Sequence, residues 1–160
     1  MASLIRQIVE SIAEQLQASE YFRTVPTIPV LIEDQKNVEN EIVNAAQKTG
    51  AFVMVNFASG ETDTDNTPGP YLTTSTFQVT VSEIPSIWRS KARPGPSCTE
   101  IAEAVARLLH HHQPLDRDDV ALSGGVLLFA GMSQQANDSM LQQAIQFTIP
   151  IGLSNLPPER

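Results

Sequence analysis

The chain has 160 residues, 41% of them hydrophobic, with 18 acidic against 10 basic side chains and a formal net charge of -8. That length and hydrophobic share suit one domain with its own core and exclude global disorder. The acidic excess excludes non-specific nucleic-acid binding as the main activity, because phosphates demand the opposite sign. A single cysteine, Cys98, excludes an internal disulfide. No uncharged apolar run approaches the length of a membrane span, and Met1 leads straight into an amphipathic stretch. We therefore expect no signal peptide, no membrane contact and synthesis in a cytoplasm.

Leu4, Ile5, Ile8, Val9, Ile12 and Leu16 recur at helical spacing, so residues 3–18 read as a helix with one buried stripe. Ile28 to Ile32 reads as a short strand, placed at a sheet edge or bulge because Pro29 cannot donate to a ladder. Asp34 and Asn37 are both able to cap a helix start. Val38, Ile42, Val43 and Ala46 then give a short helical face, closed by Gly50 where a left-handed residue commonly ends a helix. Ala51 to Phe57 reads as a central strand. Ser59 to Pro70 is acidic, lacks large apolar side chains and reads as a solvated loop, long for a hairpin.

From Phe77 to Glu83 apolar and polar residues alternate, the period of a strand buried on one face, and the threonines before it extend that strand back to Tyr71. Pro85 to Pro96 holds three prolines and a glycine, which forbid a regular helix or a central strand. It reads as an exposed arm carrying Trp88, Arg89, Lys91 and Arg93. Ser97 with Glu100 forms a capping box for an amphipathic helix that Pro114 closes. Asp116, Asp118 and Asp119 mark a solvated turn. Residues 125–130 read as a buried strand, Ser133 to Ser139 as a polar turn, and Ile145 to Ile151 as a closing strand whose end lies on an edge because of Pro150. Residues 1–153 thus form a single α+β domain, a two-layer sandwich of a mainly antiparallel sheet of four to five strands with helices packed on one face, and 154–160 a flexible tail.

Candidate chemistry is sparse. His110, His111 and His112 point about 100° apart on a helix and cannot converge on one metal ion, whereas histidines in a last helical turn favour the helix dipole and its open carbonyls. Asp63 and Asp65 resemble the start of a calcium loop, but Pro68 stands where its glycine belongs and Thr74 where its bidentate glutamate belongs. Gly124, Gly125 and Gly131 read as turn or bulge glycines. Cys98 reads as a small buried side chain, with a nucleophile at a helix N-terminus as the other reading. No catalytic, cofactor or metal site is expected. Trp88 with Arg89, Lys91 and Arg93 is the most informative cluster. It is read either as a surface loop with a half-buried indole or as a protein contact, since Trp and Arg dominate interface energies. In an acidic chain, a basic arm could meet an acidic patch on the next copy in a head-to-tail ring contact.

This order of elements resembles the tail terminator, or tail completion, proteins of tailed bacteriophages and related contractile particles. The resemblance rests on the opening helix, a strand pair around a loop, the Phe77-Gln78-Val79-Thr80-Val81 strand leading to an arm, the Ile101-Ala102-Glu103-Ala104-Val105 helix, and the closing Ile145-Gln146-Phe147-Thr148-Ile149. It implies a structural virion protein of the tail and neck, with no catalytic group. A ring of the chain itself, hexameric in that family, would sit on the head-proximal end of the tail tube, stop tube growth and join the head connector. The implied partners are further copies, the tail tube protein, the head connector or stopper protein and, in a contractile tail, the sheath protein, with no membrane and no sequence-specific nucleic acid. The loop with Asp63 and Asp65 and the arm match the family's extended segments and are where contacts are expected. The short helix from Val38 to Lys48 departs from the family's pattern. Another neck component of the same particle, or a small-ligand-binding domain or enzyme, remains the alternative.

Overall fold

The structure, a computed structural model, describes residues 3–24, 26–33, 35–61, 71–91, 94–136 and 139–152. Ser3 opens the first helix by accepting the Arg6 amide at 3.1 Å. That helix, α1 (Leu4–Ala18), buries Ile8, Val9, Ile12, Ala13 and Leu16, the stripe that its spacing predicts. Ser19 ends it and caps the one-turn α2 (Glu20–Arg23), which buries Phe22.

β1 (Val30–Ile32) is only three residues long and lies at the sheet edge, as Pro29 demands. It pairs in parallel with β2 (Ala51–Glu61). Between them, α3 (Val38–Asn44) runs on into a π-helical turn, Ala45–Thr49, closed by Gly50 at φ 87. A side chain at Gly50 would meet the Trp88 backbone nitrogen at 2.6 Å, so conformation and space both require glycine. Asn37 departs from expectation. It stands in the left-handed region at φ 65 and its side chain makes no capping bond.

β2 and β3 (Tyr71–Glu83) form an antiparallel pair, followed by α4 (Pro85–Trp88) and α5 (Cys98–Leu109). A closing hairpin, β4 (Leu128–Ala136) and β5 (Leu141–Gly152), completes a five-stranded sheet of order β1-β2-β3-β5-β4. All neighbours except β1 and β2 are antiparallel. The register aligns Phe57 with Phe77, Phe77 with Phe147 and Phe147 with Phe129, a row of rings across four strands. Edge-to-face contacts at 5.4 Å and 6.1 Å join its outer pairs. Such cross-strand aromatic pairs add about 0.5–1.5 kcal/mol each beyond simple burial.

α1 and α5 cover the same face, closing a core with Ile8, Ile12, Leu16, Ile101, Val105, Leu109 and the inward side chains of β2, β3 and β5. The α+β two-layer reading therefore holds, with one departure in the helix layer. α3 and its π-turn lie on the opposite face, where Ala45 packs with Leu31 and Phe52 in a small second cluster. Among the described residues no helix is long and apolar enough to cross a membrane.

Three boundaries are corrected. β2 continues through Ser59 to Glu61, into what reads as loop, because those residues pair with Thr76, Ser75 and Thr74 across a bulge. β4 begins at Leu128 and includes Ser133 to Ala136, which read as a turn. It is also exposed rather than buried, since it is the outermost strand and α5 does not reach across it; only Leu127, just before it, is fully buried. The expected tail 154–160, residues 62–70 with Asp63 and Asp65, and Arg93 lie outside the described residues.

Candidate functional site

The segment between β3 and α5 is folded onto the body, which corrects the expectation of an exposed arm. Pro85 starts the single turn of α4, a position where its missing N–H costs nothing. The turn carries Trp88 into the core, where the indole is fully buried. Its Nε1–H donates to the Pro96 carbonyl at 2.7 Å, so the returning chain satisfies the one polar atom of the ring. Gly95 lies flat on that ring. A Cβ there would collide with Trp88 Cζ2. In the single chain, then, Trp88 is an internal anchor and offers no surface to a partner.

The two described cations of the segment are also engaged internally. Arg89 donates through Nε and Nη2 to the two carboxylate oxygens of Glu83, at 2.8 Å and 3.1 Å. Glu83 is fully buried while the Arg89 side chain keeps 53% of its exposure, so the ion pair plugs a buried carboxylate from the solvent side. That hydrogen bond, and the charge behind it, hold the guanidinium above its ordinary pKa. Lys91 Nζ donates to the Lys48 carbonyl at 3.2 Å, tying the segment to the π-turn.

Glu83 also accepts the Cys98 amide at 3.3 Å. One carboxylate thus joins the end of β3, the folded-back segment and the first turn of α5. The capping box of Ser97 and Glu100 is formed in both directions. Cys98 is buried, and its thiol is oriented toward the carbonyls of Val81 and Leu141 at 3.6 Å and 3.8 Å. Burial first, and the Glu83 charge second, push the thiol up to about 11. A protonated, enclosed thiol suits a packing residue rather than a nucleophile.

The histidine run lies beyond α5 rather than in its last turn, which corrects the dipole explanation. His110 is the C-cap residue, and its Nδ1 accepts the Phe129 amide at 3.1 Å, so it closes an outward N–H at the start of β4. His110 and His111 stack at 4.0 Å, with His111 in the left-handed region at φ 69. His112 turns inward, its Nε2 lying 3.3 Å from Ser11 Oγ, which also accepts the Leu115 amide at 3.2 Å. Burial holds His112 below its ordinary pKa. The rings of His110 and His112 have separate hydrogen-bond partners. Among the described residues no group of three potential metal ligands converges.

An open cleft of ≈ 500 Å³ lies beside Ser11, lined by Glu10, Glu14, Asp116 and Asp118 among others. Two of its carboxylates have structural duties of their own. Glu10 pairs with Arg6 at 3.1 Å, and Asp116 Oδ1 accepts the amides of Asp118 and Val120 at 2.8 Å and 2.9 Å, which builds the expected acidic turn.

No family model matches this chain, and no curated protein is similar to it. Among solved structures, one similar chain is covered over 96% of its length by 98% of this one, with a TM-score of 0.52 at 16% identity. That likeness shows the fold alone.

Of the residues singled out from sequence, the structure brings Trp88, Arg89 and Lys91 into one folded-back segment. The unforeseen members are Glu83 and Gly95. Glu83 continues the inward alternation of Phe77, Val79 and Val81, and a carboxylate at that register is a signal that a cation must come to meet it. Gly95 gave no such signal.

Proposed function

We propose that this chain is a tail terminator: a structural subunit that rings the head-proximal end of a tail tube, blocks addition of the next tube ring and presents a surface to the head connector. The observation that carries this reading is the long β2–β3 hairpin. Its strands are 11 and 13 residues long, and the outer end of β2, from Ala58 to Glu61, is exposed. It leads toward the acidic connection that the family resemblance assigns to contacts between subunits. The rigid seating of the segment after β3 supports the same reading, since a ring subunit benefits from contact surfaces that are ordered before assembly. The mechanism is steric: a bound ring covers the growing end and offers no matching surface.

The test is to add the purified protein to tail tube protein as it polymerises and to follow tube length by electron microscopy. Tubes that stop growing, with a ring of about six subunits at one end, are the expected result. Tubes that elongate at the same rate with and without the protein would overturn the proposal.

A further inference from the structure

We infer that His110 and His112 form a proton-sensitive latch: as neutral rings they hold the connection between α5 and β4 against the body, and their protonation releases it. The connection, residues 113–127, leaves and re-enters the fold through one neck. There the His111 N–H donates to the Leu127 carbonyl at 2.7 Å, and the Leu127 N–H donates to the His112 carbonyl at 2.9 Å. A histidine ring fastens the chain on either side of this neck. His110 Nδ1 accepts the Phe129 N–H at 3.1 Å. His112 Nε2 lies 3.3 Å from Ser11 Oγ, and that oxygen accepts the Leu115 N–H at 3.2 Å, which ties the start of the connection to α1.

Both contacts select the neutral ring. A backbone amide can only donate, so His110 Nδ1 must offer a lone pair, and an imidazolium has none. His112 is half-buried against α1, and removal from water opposes a positive charge there, which holds it below its ordinary pKa. The sign is the same at both rings. The closed connection binds fewer protons than the open one, so falling pH favours opening.

The charged groups around the rings act in the same sense. Near His112 stand Glu10 and Glu14 of α1 and Asp116, Arg117 and Asp118 of the connection, all lining the cleft beside Ser11. A charged ring that leaves its buried seat therefore meets mostly negative surroundings. Beside His110 are His111, stacked at 4.0 Å, and Arg107 in the last turn of α5, itself 3.9 Å from Glu103. These neighbours disfavour a cation in the stacked position. β4 and β5 carry no charged side chain.

The connection is also built to open by itself. Among residues 113–126 only Pro114 is buried, and Val120 is 58% exposed. Its internal bonds, from the Asp118 and Val120 amides to Asp116 Oδ1 and from the Leu122 amide to the Pro114 carbonyl, travel with it. Leu127, fully buried, stays as the fixed end. Few buried contacts and self-contained bonds mark a segment that opens locally, below the free energy of global unfolding. Opening would carry away the cleft wall formed by residues 115–118.

The latch does not depend on the tail reading. Its test is residue-resolved amide hydrogen exchange of the full chain at pH 7.5 and 5.5, in several sub-denaturing urea concentrations, corrected for the intrinsic pH dependence of exchange. We expect protection at Leu115 and Phe129 to fall about tenfold at the lower pH. That fall should be independent of urea, whereas Val79 in β3 exchanges by the urea-dependent global route. A variant with His110→Asn and His112→Gln sets non-titrating carbonyl oxygens near the Nδ1 and Nε2 positions and should lose the response. His111→Asn, which suits the left-handed φ of 69, should keep it. If the double variant does not fold, His112→Gln alone decides: Leu115 should stay protected at both pH values while Phe129 still responds. Unchanged protection in the natural chain, exchange at Leu115 and Phe129 with the urea dependence of Val79, or an undiminished response in the histidine variants overturns the inference.

Discussion

Trp88 shows how much of this molecule hangs on single contacts. It is the only tryptophan, it is fully buried, and its N–H has one partner, the Pro96 carbonyl. Gly95→Ala would drive a methyl into the ring and should cost about 1–3 kcal/mol, the usual range for overpacking. A lowered urea midpoint, followed by tryptophan emission, measures it. Cys98, with its thiol pushed up to about 11, should be inert toward thiol reagents at pH 8 in the folded protein and react fully in urea. His112 supplies a pH dependence whose sign is fixed. Burial lowers its folded pKa below 6.5, so the unfolded chain binds that proton first. Its contribution to stability is complete above about pH 6.5 and is lost as pH falls toward the folded value. The urea midpoint should therefore be lower at pH 5.5 than at pH 7.5, and His112→Gln should narrow that gap.

At the scale of elements, the folded-back segment is held by three different devices: the Trp88 anchor, the Glu83–Arg89 pair and the Lys91 bond to the π-turn. Arg89→Ala should leave the anchor in place but leave the Glu83 carboxylate without its cation, with only the Cys98 amide as a partner. We expect faster hydrogen exchange over residues 84–91 with little change in tryptophan emission, and an effect much smaller in a Glu83→Gln background. This is also where sequence reasoning reached its limit. Strong local signals were legible: the stripe of α1, the Ser97–Glu100 box, the alternation of β3 and β5 and the closing role of Gly50 all correspond to real structure. Exposure of the segment was misread because its composition, proline and cations, says nothing of a buried carboxylate brought alongside by the end of a strand. β4 was misplaced for a related reason. Apolar residues 126–130 imply burial only if something covers them, and which strand lies outermost is a property of the assembled sheet. Of the candidate site, its segment and its residues Trp88, Arg89 and Lys91 were legible, while the partners that define their roles were not.

For the molecule as a whole, the sheet order has a consequence for synthesis. Among the described residues β5 is the last strand in sequence, yet it lies between β3 and β4. The two strands that precede it share no ladder with each other, and the row of phenylalanines is closed only when Phe147 arrives between Phe77 and Phe129. A chain on the ribosome therefore waits with the β3 edge open and α5 lacking much of the floor it packs on. A product cut after Met140 should show no cooperative thermal transition, whereas one cut after Gly152 should melt like the full chain, as calorimetry would reveal. Folding is in this way deferred until the interior strand is made, so incomplete products stay recognisably unfolded to proteases and are kept out of any assembly that the finished subunit joins.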